Sequence, residues 1–135
     1  ETAATLVCTP HQGELEAMGG ETAVGPDERA ELVEEFAADI GVTLLVKGAR
    51  DVITDGEQTR QNRTGNPGMT VGGTGDVLAG VTGAMACCLD PMPAAAVGAY
   101  ANGRAGDIAV ENNGYGLVAS DLLGTLPQAL WPDAE

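Results

Sequence analysis

The chain has 135 residues, 20 of them glycine, and a hydrophobic fraction of 44% with Phe36, Tyr100, Tyr115 and Trp131 as its aromatics. Twenty acidic residues against six basic ones leave a formal net charge of −14, which repels phosphate backbones and excludes nucleic-acid binding through a basic face. The apolar content excludes an acidic disordered tail, and no apolar run reaches the ~18 residues that span a bilayer.

The elements follow in order. Thr5-Leu6-Val7-Cys8-Thr9 reads as a buried strand stopped by Pro10. A helix starts near His11 and runs to the stop at Gly19-Gly20. Pro26-Asp27-Glu28 opens a second helix, with proline in the first turn, acidic residues at the positive dipole end, and Leu32, Val33, Phe36, Ala37 and Ile40 as one apolar stripe. Gly41 ends it, and Val42–Lys47 is a strand that stays apolar almost to its end. This alternation points to a parallel sheet with covered faces. Asp51–Thr54 and Gln58–Arg63 flank Asp55-Gly56, a hairpin signal. Thr64–Gly75 carries five glycines and reads as a loop. Three helices follow: Asp76–Leu89, Pro93–Glu111 and Leu117–Leu130. No repeat and no linker divides the chain.

Twenty carboxylates with Lys47 as the only lysine suit a protein solvated in high salt, where screening weakens self-repulsion. Cys8, Cys87 and Cys88 form neither a disulfide framework nor a CxxC knuckle, which fits a reducing cytoplasm.

The segment Gly72-Gly73-Thr74-Gly75-Asp76 carries the sharpest chemical signal. A glycine-rich loop entering a helix gathers free N–H groups and the positive dipole end at one point, which makes an anion site. It is neither a P-loop nor a dinucleotide fingerprint, because both GK[ST] and GxGxxG are missing. Asp76 has two readings, a helix cap or a base for a hydroxyl attacking a bound phosphate. The small residues Ala79, Gly80, Gly83 and Ala84 would let this helix pack closely on a neighbour.

The fifteen residues from Asn66 to Gly80 (NPGMTVGGTGDVLAG) resemble the signature of the ADP/ATP-dependent NAD(P)H-hydrate dehydratases of the ribokinase-like superfamily. Thr9-Pro10-His11-Gln12-Gly13-Glu14 resembles that family's TPHxGE, and Val46-Lys47-Gly48-Ala49 its LKGA. Gly103-Arg104-Ala105-Gly106-Asp107 and Gly116–Leu122 resemble its C-terminal helices. The resemblance implies a three-layer α/β/α fold with a mostly parallel sheet, of which residues 1–135 form the C-terminal part of a single domain. It implies a lyase of cofactor repair: the 6-hydroxyl of hydrated NAD(P)H is phosphorylated by ADP or ATP, with Mg²⁺, and phosphate then leaves. Asp76 would be the catalytic carboxylate, which also contacts the substrate hydroxyl. Gly73, Thr74 and Gly75 would form the anion hole, with Gly75 also near the nucleotide. Lys47, Gly48, Ala49, Arg50 and Asp51 would line the nucleotide site, and His11 would touch the hydrated nicotinamide. No protein metal ligand is assigned. A homo-oligomer and an upstream NAD(P)HX epimerase domain are both compatible with the resemblance. Asn102 stands where the family often has a histidine.

Without the resemblance, His11 reads as a solvent-facing or helix-start histidine and Lys47 as a snorkelling strand-end lysine. Asp107, Glu111 and Asp121 read as helix-surface charges. The competing functions are a ribokinase-like kinase of a vitamin precursor alcohol and an incomplete nucleotide-binding fragment.

Overall fold

The computed structural model describes residues 4–133. Four strands form one sheet in the order β1-β2-β3-β4: Val7–Cys8, Thr43–Val46, Asp51–Thr54 and Thr59–Asn62. Strand β1 runs parallel to β2, with Val7 opposite Thr43 and Cys8 opposite Leu44. Helices α1 (Gln12–Ala17) and α2 (Pro26–Ile40) make the crossover between them. The other two pairings are antiparallel, with Leu45 opposite Ile53 and Ile53 opposite Arg60. The sheet within the described residues is therefore mixed, whereas the resemblance implied a mostly parallel one. The reason is local: short connections have no room for a crossover, and the Asp55-Gly56 turn folds β4 straight back on β3. Gly56 has φ +88°, and a Cβ there would lie 2.6 Å from the Ala38 backbone, so the turn admits glycine alone.

Alternation along the strands sorts the core into two layers. Leu44, Val46 and Val52 pack with Leu15, Ala30, Val33 and Ala37 from α1 and α2. Leu45 and Ile53 point the other way, onto Leu78, Met92, Ala95 and Ala99. These come from α3 (Thr74–Ala86) and α4 (Pro91–Asn113). With both faces covered, every residue of β2 is buried. A third cluster joins α4 to α5 (Ala119–Leu130) through Ala105, Ile108, Ala109, Leu122 and Ala129.

Strand β1 departs from the expected buried strand: it is two residues long, half-buried, and follows a Leu6 that is 43% exposed. Among the described residues it is the first strand of the sheet, paired with β2 alone. Helix α2 spans the predicted range, closed by Gly41 at φ +66° with its N–H on Ala37 O. The last three helices are shifted by about a turn or less. Helix α4 begins at Pro91 because proline is tolerated in a first turn that needs no N–H donor.

Candidate active site

The site is built at the carboxyl ends of β1 and β2, where open α/β sheets bind ligands. The Lys47 N–H bonds to Pro10 O at 2.9 Å, fastening the end of β2 to the turn that carries His11. His11 caps α1: its Nδ1 accepts from the Glu14 N–H at 3.1 Å, while Glu14 Oε2 accepts from the His11 N–H at 2.6 Å. The reciprocal pair leaves the imidazole 59% exposed. Glu14 also lies 3.5 Å from His11 Nε2 and 3.5 Å from Lys47 Nζ. The hydrogen bond from His11 N–H holds the Glu14 carboxyl below its ordinary value, with Lys47 adding to the effect against partial desolvation.

Lys47 in turn reaches the glycine-rich loop. A Cβ added at Gly75 would meet Lys47 Nζ at 3.2 Å, so glycine is what admits the ammonium to the first turn of α3. Gly73 occupies the cap position with φ +95° and no side-chain cap. Helix α3 thus begins at Thr74, two residues before the expected start, and Asp76 sits inside the first turn. Its side chain is exposed and takes no hydrogen bond among the described residues. The cap reading of Asp76 finds no geometric support. The N–H groups of Gly73, Thr74 and Gly75 likewise have no partner among the described residues, as the first turn of a helix requires. The Thr74 hydroxyl is directed at the carbonyls of Met69 (2.9 Å) and Val71 (3.1 Å), so it shapes the loop rather than facing a ligand.

Two clamps hold this arrangement, and neither was recognised in the sequence. Arg29, the only cation of α2, donates to the carbonyls of Arg50 (2.9 Å), Lys47 (3.1 Å) and Val46 (3.4 Å). Burial lowers its pKa, and Asp51 opposes that shift. Asp51 accepts from the Gly48 N–H at 3.1 Å and from Asn62 Nδ2 at 2.9 Å. Burial raises its carboxyl, against those hydrogen bonds and the nearby Arg29 and Lys47 charges. Of the predicted nucleotide-lining residues, Gly48, Ala49 and Arg50 are exposed at the loop tip, and Asp51 faces inward as its brace. The second clamp is Asp107, expected as a surface charge. It is half-buried and accepts from the Gly65 N–H at 3.1 Å and Asn66 Nδ2 at 3.0 Å, tying the glycine-rich loop to α4. Asp121 accepts from the Val118 N–H at 2.8 Å and caps α5.

The structure therefore brings His11, Glu14, Lys47 and Gly75 into one chain of contacts, with Asp76 on the adjoining residue. Two hollows, of about 390 and 330 Å³, lie elsewhere. Their walls include Leu6, Val42 and Asp55 in one and Arg60, Asp90 and Met92 in the other, at the opposite end of the sheet. Neither has a residue that the sequence assigns to chemistry. No helix among the described residues is long and apolar enough to cross a membrane.

Covered sheet faces, a strand-end loop and a glycine-capped helix define an α/β protein. A ribokinase-like superfamily protein from Enterococcus faecalis superposes on it with a TM-score of 0.75 at 29% identity, covering 93% of this chain and 44% of that one. The solved ADP/ATP-dependent NAD(P)H-hydrate dehydratase from Bacillus subtilis, co-crystallised with ATP/Mg²⁺ and soaked with CoA, superposes with a TM-score of 0.82 at 32% identity. The match covers 93% of this chain and 48% of that one. Residues 1–128 match the NAD(P)H-hydrate dehydratase family, and the chain belongs to it. It is 46% identical over 126 residues to an ADP-dependent (S)-NAD(P)H-hydrate dehydratase of Cenarchaeum symbiosum, covering 92% of this chain and 44% of that protein. Over 124 residues it is 48% identical to a bifunctional NAD(P)H-hydrate repair enzyme of Methanospirillum hungatei, covering 91% of this chain and 26% of that protein. The chain thus spans between a quarter and a half of the length of these relatives.

Proposed function

We propose that residues 1–135 are the C-terminal part of a dehydratase domain that restores hydrated NAD(P)H. The observation that carries this reading is an unpartnered Asp76 carboxylate beside the free Gly73, Thr74 and Gly75 amides, with the Lys47 ammonium against Gly75. Such a set has the parts phosphoryl transfer needs: a proton acceptor, oriented donors and a cation. A bound ADP or ATP would supply the phosphoryl group. Asp76 accepts the proton of the 6-hydroxyl as the hydroxyl oxygen bonds to phosphorus and the bond to the nucleotide breaks. The three amides hold the phosphoryl oxygens, and Lys47 offsets their charge. Phosphate is then expelled from C6 as a proton leaves the adjacent ring carbon, closing the dihydropyridine. His11 contributes the wall on the nicotinamide side.

Among the described residues no group of three or more His, Cys, Asp or Glu side chains could hold a metal ion. Magnesium would be held mainly by the phosphate oxygens of the nucleotide and by water, the ligand set it prefers in nucleotide enzymes.

The test is Asp76→Asn in the full-length protein, which keeps the side-chain shape and removes the base. Turnover of hydrated NADH with ADP should fall by roughly 10²–10⁴-fold, the span typical of a general base, while ADP still binds. Near-full turnover would leave Asp76 without a catalytic role and end this mechanism.

A further inference from the structure

Lys47 stands in a place that elementary electrostatics disfavours. A helix start carries partial positive charge, and an ammonium there is repelled. Yet Nζ packs against Gly75 in the first turn of α3, on a side chain only 26% exposed. Among the described residues its direct ion-pair partner is Glu14, with Oε2 at 3.5 Å, while the Asp51 carboxyl adds a more distant attraction. Glu14 is itself fixed, because the same oxygen accepts the His11 N–H at 2.6 Å within the α1 capping pair. A carboxylate is thus positioned where an arriving phosphate would also seek Lys47.

We propose that Glu14 is the resident counter-ion of the phosphate-group site: it holds the Lys47 ammonium against the start of α3 and must yield it to the nucleotide phosphate. The inference rests on the nucleotide reading of Lys47 given above, and assigns a positioning role to a residue outside the predicted site. Two consequences follow. Lys47 is pre-placed, so binding does not have to order it. The carboxylate also opposes every incoming anion, so affinity for phosphorylated ligands is held below what Lys47 and the amides alone would give.

The experiment measures dissociation constants of the full-length protein for ADP and for adenosine, which has no phosphate, in wild type, Glu14→Gln and Lys47→Met. Glutamine keeps an acceptor for the His11 N–H, so α1 retains its cap. Glu14→Gln should bind ADP about three- to fivefold more tightly, the scale of a partly exposed charge pair, with adenosine unchanged. The nucleotide KM should fall with it. Lys47→Met should weaken ADP and leave adenosine unchanged. An unchanged or weaker ADP affinity in Glu14→Gln, or an equal shift for adenosine, overturns the counter-ion role. If Lys47→Met still weakens ADP in that case, the nucleotide reading stands and only the role of Glu14 falls. If Lys47→Met leaves ADP binding intact, both fall.

Discussion

Helices α3 and α4 are both rich in small residues, and they use them in opposite ways. On α4, glycines mark points of contact: a Cβ at Gly98 would overlap Thr82, one at Gly103 would overlap Thr64, and one at Gly106 would overlap Met69. Those contacts let α4 lie close to α3 and to the glycine-rich loop at once. On α3, Leu78, Val81 and Thr82 face inward, while Ala79, Gly80, Gly83 and Ala84 are exposed. A Cβ at Gly80 or Gly83 would meet nothing within 4 Å. Composition alone does not distinguish a helix that already has its neighbour from one whose outer face has none. The small residues of α3 predict close packing at Gly80 and Gly83; the structure places the close packing on α4 instead.

The largest expected effect breaks the packed side. Gly103→Ala should cost about 3 kcal/mol, the upper end for overpacking, because the atoms met include the Thr64 backbone carbonyl at 2.7 and 2.8 Å. Gly106→Ala should cost about 1 kcal/mol, since it meets only the flexible Met69 side chain. Urea unfolding of the two variants checks the order. Equal losses would mean that the loop at Thr64 yields as readily as a methionine.

A smaller effect tests what the closeness of α4 is for. Asp107→Ala removes both hydrogen bonds that tie Gly65 and Asn66 to α4. The loss should be about 1.5 kcal/mol, the low end for hydrogen bonds to a charged group, because the site is only half-buried. Nucleotide KM should rise along with it, as the loop feeding Gly73–Gly75 loosens. A stability loss with unchanged KM would separate the anchor from the site.

The legibility of the fold follows the same physics. Helix α2 and the hairpin were readable because each carries its own punctuation: Pro26 and Gly41 at the helix ends, Gly56 in the turn. The start of α3 was misplaced because Gly73, an unusual cap with no side chain, set it instead of Asp76. Motif residues such as His11, Lys47 and Gly75 were found by resemblance, and the structure then joined them in space. Arg29 and Asp107 were missed as clamps, and Glu14 as the partner of Lys47, because each acts across 17 to 42 residues of sequence. A lone cation in an acidic helix was the one available signal, for Arg29. Asp107 lies in a motif, yet nothing local reveals that its carboxylate turns inward.

The smallest effect sharpens the open side. Alanine in an exposed helix interior is favoured over glycine by about 1 kcal/mol, through backbone entropy and helix propensity. With nothing within 4 Å of a Cβ at Gly80 or Gly83, Gly80→Ala and Gly83→Ala should each stabilise the 135-residue chain by about that amount. In the full-length protein the sign reverses if a further element covers this face. There, a further element lying on α3 would meet the added methyl groups, and overpacking costs 1 kcal/mol or more. Urea midpoints of both variants in both lengths decide the matter. Gains in the short chain and losses in the long one would make these glycines packing residues like those of α4. Gains in both would show that the outer face of α3 stays uncovered, and that its small residues serve no packing role.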